Sequence, residues 1–317
     1  MLPEAWEKRL IDLNVASLGE ADLAWADVVF IGGMIAQRES ARALIARCRA
    51  AGKTVVAGGP LFTSEHAEFP EVDHFVPNEA SINLADDAAL TRQMVAAGFD
   101  AVFIGIETPE EAGLAECNKR QNRGRDLIAD IKRLQRAGLE VQGGFIVGFD
   151  SDTVSIFRRQ LEFIQQSGIT TAMVGMLTAL PGTRLFERLK REGRLLGPSS
   201  GNNGDGTTNF LPRMELEPLR DGYRELMAAI YAPGPYYRRV RTFLREFHPP
   251  RLAFRFDVKA LAAFSRSAMS LGVIGRERFQ YWRLLGWTMC RRPRLLQVAV
   301  RLAIHGYHFR RCAAALG

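Results

Sequence analysis

Apolar positions along the chain follow two regimes. Up to about residue 191, short apolar runs alternate with stretches of helical spacing. Beyond about residue 213 the apolar positions recur only at helical spacing. The first regime centres on residues 141–150, VQGGFIVGFD, whose run Phe145-Ile146-Val147 is bracketed by Gly144 and Gly148. A short apolar run between glycines reads as a buried strand of a parallel sheet. Its near-twins are residues 101–108 (AVFIGIET) and 171–178 (TAMVGMLT). The spacing predicts helices over 86–97, 125–137, 153–166 and 183–191, the last capped by Thr183, and a further strand at 81–84 (SINL). These make four β/α units in series, about half of an eight-unit barrel. Upstream, strands are predicted at 9–13 (RLIDL), 28–31 (VVFI), 54–57 (TVVA) and 74–76, with a helix at 39–50. Downstream, after a polar, glycine-rich stretch at 198–209, helices are predicted at 217–231, 236–247, 259–270, 277–290 and 294–309.

Several strands end in glycines or an acid: Gly32-Gly33, Gly58-Gly59-Pro60, Glu107 and Asp150. Polar groups at the carboxyl ends of parallel strands are where α/β sheets keep their ligands. Each Gly-Gly pair reads equally as a tight strand-to-helix turn. The fold class expected is α/β, with a doubly wound first domain, a run of β/α units and an all-α end.

Charge divides the chain further. From Arg213 onward there are 20 Lys and Arg against 7 Asp and Glu; before it there are 22 against 28. That asymmetry predicts a basic C-terminal module. Aromatics alternate there with arginines, around Tyr281, Trp282, Arg283, Trp287, Arg291, Arg292, Tyr307, Phe309 and Arg310. Two readings stay open: a helical cap with a solvated arginine face, or a surface for anionic lipid or an acidic ligand. Nucleic acid is disfavoured, since no recognised binding motif accompanies the charge. The four cysteines, Cys48, Cys117, Cys290 and Cys312, are widely spaced, so no metal is expected on them; they suggest reduced thiols and a cytoplasmic setting. No basic stretch followed by an apolar run opens the sequence, and no run of about 18 uncharged apolar residues occurs.

Together the segments IDLN, LAWADVVFIGGMIAQRES, VVAGGPLFT, FPEVDHFV, EASINLADD, FIGIETPEE, GGFIVGFDSD, PGTRLFERLKREGRL and residues 222–309 resemble cobalamin-binding-domain radical SAM proteins with a helical C-terminal extension, a family that includes hopanoid methylases. The resemblance implies a partial Rossmann-like, flavodoxin-type cobalamin domain at 1–78, with Gly58 and Gly59 near the nucleotide tail. It implies a partial radical SAM (β/α) barrel at 79–197 and a basic helical extension at 198–317. Gly144, Ile146 and Gly148 match a G-x-I-x-G strand that packs against the adenine of S-adenosylmethionine. Glu107 sits where a carboxylate approaches the cofactor's ribose or amino-acid portion; capping Thr108 onward, or pairing with Arg125, are the structural alternatives. The implied chemistry is radical methyl transfer to a small molecule or lipid, in the cytoplasm or at an anionic inner membrane face.

The departures are as informative. The family holds a 4Fe–4S cluster on C-x3-C-x2-C, and several converging thiolates are indispensable to such a cluster. Here HFVPNEA runs directly into SINLADD, and no such spacing exists. Roughly 100 residues or more of barrel are missing at that junction by barrel norms. The expectation is therefore an internally truncated chain with no catalytic residue and no cluster, either a residual S-adenosylmethionine- or cobalamin-binding module or a non-functional fragment. A repeated Glu-Ala coding stretch around Asn78-Glu79-Ala80 would permit an in-frame deletion. The motif D-x-H-x-x-G is absent too, so His66 and His74 read as ordinary loop residues. The resemblance also places Met1 after the family's first strand, whose loss would leave unpaired backbone between the two strands that flank it.

Overall fold

The computed structural model describes residues 7, 9–11, 13, 17–33, 37–59, 61–62, 68–76, 81–96, 98–198, 206–249 and 264–314. The chain divides into two compact units, Met1–Ser81 and Ile82–Gly317.

The first unit contains α1 (Glu20–Trp25), β1 (Val28–Gly32), α2 (Arg38–Ala50), β2 (Thr54–Gly58) and β3 (His74–Val76). The strands form a parallel sheet in the order β1-β2-β3. β1 pairs directly with β2 from Val28↔Thr54 to Gly32↔Gly58. Ile31, Val55 and Ala57 of the sheet and Ile45 and Cys48 of α2 share a core with Phe62 and Phe69. The expected strand at 9–13 is not formed among its described residues. Leu10 is 95% exposed. Arg9 instead binds Asp22 at 2.6 Å and lies over the Trp25 ring.

In the second unit a 3-10 helix, Ile82–Asp86, replaces the strand expected at 81–84. The alternation there is too short to distinguish the two states. Ile82, Leu84 and Ala85 are all buried, and Asp87 turns the chain into α3 (Ala88–Ala96) by accepting from the Leu90 amide at 2.8 Å. Three β/α units therefore form, not four. They comprise β4 (Ala101–Glu107), α4 (Glu111–Glu116), α5 (Leu127–Ala137), β5 (Glu140–Val147), α6 (Ser155–Ser167), β6 (Ala172–Met176) and α7 (Arg184–Arg191). Local sequence sets the ends. Asp126 and Thr183 accept from amides in the first turns of α5 and α7, and Gly138 and Gly168 close α5 and α6 in the left-handed conformation.

The helices that follow are α8 (Leu216–Tyr231), α9 (Pro233–Glu246), a π-helix (Ala268–Ile274), α10 (Arg278–Arg291) and α11 (Leu296–Ala314). Residues 259–263 of the helix expected at 259–270 lie outside the described residues. Pro233 occupies the first turn of α9, where a missing amide costs no hydrogen bond. The parallel sheet β4-β5-β6 has β6 at an edge. Two tyrosines of α8 cover that edge: Tyr231 donates to the Ala172 carbonyl at 2.7 Å and Tyr223 to the Val174 carbonyl at 3.1 Å. This satisfies strand backbone that would otherwise be open to misassociation. At the base of β5, the buried carboxylate of Glu140 meets Arg301 of α11 at 2.8 Å and accepts from Thr170 at 3.2 Å.

Candidate functional site

The β4-β5-β6 sheet has one face packed and one face open. Val102, Ile104, Val141, Phe145, Val147 and Val174 are buried. The alternate positions Phe103, Gln142, Gly144 and Ile146 are half-buried, and Met173 is 51% exposed. Register brings them together, with Phe103 opposite Gln142 and Gly144 between Gly105 and Met173. Ile146 faces Gly175 across β5 and β6. The result is a shallow apolar wall across the middle of the sheet. The space a side chain at Gly144 would fill is taken by the Phe103 ring, 2.9 Å from where a Cβ would stand. Gly148 lies at φ 101°, a conformation that glycine adopts freely, and Leu219 of α8 lies close against it.

Glu107 ends β4 in a conformation rare for a side-chain-bearing residue, φ 67°, at a break in register that sets it opposite Phe145. Non-glycine residues in this region cluster where function over-determines the backbone. Its carboxylate pairs with Lys119 at 2.7 Å, and both side chains are largely shielded from water. The pair lies over Gly105, where any Cβ would stand 2.6 Å from the carboxylate oxygen and 2.8 Å from the ammonium. Arg125 is not its partner. That guanidinium binds Asp86 and Asp130 instead, at 2.7 and 2.8 Å. Lys119 gave no sequence signal, because it reaches Glu107 only through the turn after α4.

Two buried amides hold the strand ends in place. Asn122 donates to the carbonyls of Gly105 and Ile106, each at 3.0 Å. Gln160 donates to the carbonyls of Glu107 at 3.2 Å and Ile146 at 3.1 Å, joining β4 to β5 where the wall ends. Sequence reasoning missed both, since an amide in a helix or turn looks like any surface residue. The loop after β5 is fixed by charge. Arg194 and Arg188 hold Asp150 at 2.6 and 2.8 Å, and these two guanidiniums, Arg194 first, keep its pKa below the usual carboxylate range. Asp152 accepts from the amides of Gly148 and Phe149. Burial outweighs those bonds and, with help from Glu116 and Glu110, pushes its pKa up to about 6.

In the first unit, Gly58 ends β2 between Gly32 and Val76. Gly59 lies at φ 89°, with a would-be Cβ 3.3 Å from the Gly33 carbonyl, so the two glycine turns approach each other through backbone. The strand-to-helix-turn reading thus accounts for that contact without a ligand. His74 lies within β3; His66 is outside the described residues. The residues present do not fit an iron–sulfur cluster. Cys48 is buried in α2 of the first unit, while Cys290 and Cys312 are exposed on α10 and α11. Cys117 follows α4, and burial raises its pKa, which disfavours thiolate. Among the described residues no group of three His, Cys, Asp or Glu could hold a metal ion.

The sequence is similar to several known proteins. Residues 183–316 match a family described as a domain of unknown function, DUF4070. An uncharacterized methyltransferase of Synechocystis is 28% identical over 452 aligned residues, taking in 98% of this chain and 84% of the relative. The hopanoid C-2 methylase of Rhodopseudomonas palustris is 28% identical over 214 residues, 65% of this chain and 40% of the methylase. These similarities to methyltransferases, a hopanoid methylase among them, are consistent with the resemblance to cobalamin-binding-domain radical SAM proteins. A third relative, a bacteriochlorophyllide d C-12(1)-methyltransferase of Chlorobaculum tepidum, is 34% identical over 93 residues, 29% of this chain and 20% of the enzyme. Because the Synechocystis alignment is 452 residues long and this chain has 317, roughly 140 positions of that relative have no counterpart here.

Proposed function

We propose that this chain retains one wall of an S-adenosylmethionine site from a radical methyltransferase and binds that molecule without cleaving it. The observation that carries the reading is the open apolar wall, Phe103, Gly144, Ile146 and Met173, ending at the strained, ion-paired Glu107. An adenine ring suits an apolar strand face, and a sulfonium amino acid suits a carboxylate at its end. Lys119 holds that carboxylate in position, and a ligand ammonium would compete with it for the same oxygens. When bound, the cofactor set of the family would supply a methyl group and a radical; this chain's own residues supply binding and orientation. Gly58 and Gly59 remain the proposed contact for a cobalamin tail. In the relatives' lineage the acceptor is proposed to be a small molecule or lipid.

Loss of cleavage follows from the cysteines. With no metal-holding group of His, Cys, Asp or Glu among the described residues, no converging set of thiolates would deliver an electron to the sulfonium. Anaerobic reconstitution of the full chain with iron and sulfide, then reduction in the presence of S-adenosylmethionine, tests this. The expected result is no stoichiometric cluster absorbance and no 5′-deoxyadenosine. A full cluster with 5′-deoxyadenosine would overturn it.

A further inference from the structure

From Arg278 to the end of the sequence there are eight arginines and no Asp or Glu. The structure shows how this bias is used. On α10, Tyr281, Leu284, Leu285 and Thr288 are buried against the helical core. The opposite side should then carry only polar groups, as on an ordinary surface helix. It does not. Phe279 is 75% exposed, and Trp282 and Met289 are about half exposed. Helical spacing sets all three on the outward side, together with Arg283.

The π-helix beside α10 extends this surface. Gly272 lies against the Trp282 ring, and Trp282 donates to the Gly272 carbonyl at 2.9 Å. That contact brings alongside the exposed side chains of Met269, Val273 and Ile274, the last 74% exposed. Isolated exposed apolar residues need no explanation, but a contiguous group does.

On its other flank α10 meets α9, and there the charge is concentrated. Arg245 of α9 lies over the Trp287 ring at 5.7 Å. Arg245, Trp287, Arg291 and Arg292 line a recess of about 400 Å³. Arg292 is fixed by donating to the carbonyls of Arg245 and Phe247 at 2.8 and 2.7 Å. Arg241 is buried, with no carboxylate paired to it among the described residues; burial and the charges of Arg283, Arg245 and Arg238 weaken its hold on its proton. The nearby carboxylates are already paired, Glu246 with Arg136 and Glu277 with Arg310. Crowded arginines without counter-charges are destabilising for the folded chain alone and await an anion.

We propose that the α10 face, with the π-helix beside it, docks on an anionic lipid bilayer. Phe279, Trp282, Met289 and Ile274 enter the interfacial region while Arg245, Arg283 and Arg291 meet the lipid phosphates. An apolar row next to unpaired arginines has the composition of an interfacial helix. Among the described residues no helix is long and apolar enough to cross a membrane, so the contact is with the surface. The charge chooses lipid over a second copy of this chain, because a copy would bring the same arginines. This proposal is independent of the methyl-transfer reading.

Co-sedimentation of the full chain with vesicles tests it. Phosphatidylcholine vesicles are compared with vesicles in which part of the lipid is phosphatidylglycerol. Binding is expected on the anionic vesicles, with at least a roughly tenfold loss in Arg283→Gln/Arg291→Gln. Phe279→Ser and Trp282→Ser are each expected to weaken it several-fold, whereas Arg158→Gln, on α6, leaves it unchanged. Phe279 is the more exposed of the two, so that variant keeps the test valid if Trp282→Ser melts early. Salt should weaken the binding of the wild-type chain. Equal binding to neutral vesicles, or full binding by the double arginine variant, would contradict the proposal. So would a stable dimer in solution that Phe279→Ser dissociates, because the face would then belong to a protein partner.

Discussion

Asp152 shows at the residue scale how the loop after β5 balances opposing demands. Its carboxylate accepts two amides, which favours charge, but its burial favours the proton more, and the pKa rises from 3.8 to about 6. A carboxyl with a higher pKa folded than unfolded holds its proton more tightly in the folded chain. It therefore lowers stability as pH rises from about 4 to about 6, and that loss persists above 6. Asparagine keeps an oxygen that can accept both amides and carries no charge. The melting temperature of Asp152→Asn, measured against wild type from pH 4 to pH 7, is expected to gain on the wild type as pH rises. Parallel curves would show that Asp152 is not the group responsible. Glu107 is the contrasting case, a carboxylate ion-paired with Lys119 at the end of a strand. The sequence marked Glu107 as a strand-end acid, yet its partner depends on a turn that no periodicity describes.

Among the elements, legibility followed the strength of the local pattern. β4, β5 and β6 were readable because runs such as FIV and VFI between glycines leave little alternative to a buried strand. SINL was misread because three alternating residues fit a 3-10 turn as well as a strand, and burial of both Leu84 and Ala85 decided it. RLIDL was misread because alternation cannot supply a neighbouring strand. The covering of the β6 edge by Tyr223 and Tyr231 was invisible, being a contact about 50 residues apart or more. The same is true of the link from α11 to the base of β5. Glu140 is 2% exposed and relies on Arg301, itself 42% exposed. Removing one partner of a buried pair costs more than removing both charges. Arg301→Ala is expected to destabilise by roughly 1–3 kcal/mol, discounted for the exposure of the arginine, and Glu140→Gln in the same chain to restore much of that. Chemical denaturation of the single and double variants measures it; additive losses would mean that the two groups do not interact.

For the whole molecule, one feature of the sequence now has a structural place. The basic half is not a detached tail, because its helices complete the unit that carries the β4-β5-β6 sheet. The wall of Phe103, Gly144, Ile146 and Met173 is the site we propose for S-adenosylmethionine. Titration calorimetry of the full chain with S-adenosylmethionine tests that wall most directly. The account predicts a saturable heat with one site per chain. It predicts that Met173→Asp, which sets a charge on the exposed wall without disturbing the core, weakens binding about tenfold or more at an unchanged melting temperature. An absence of heat from the wild-type chain, or undiminished affinity in Met173→Asp, would contradict it.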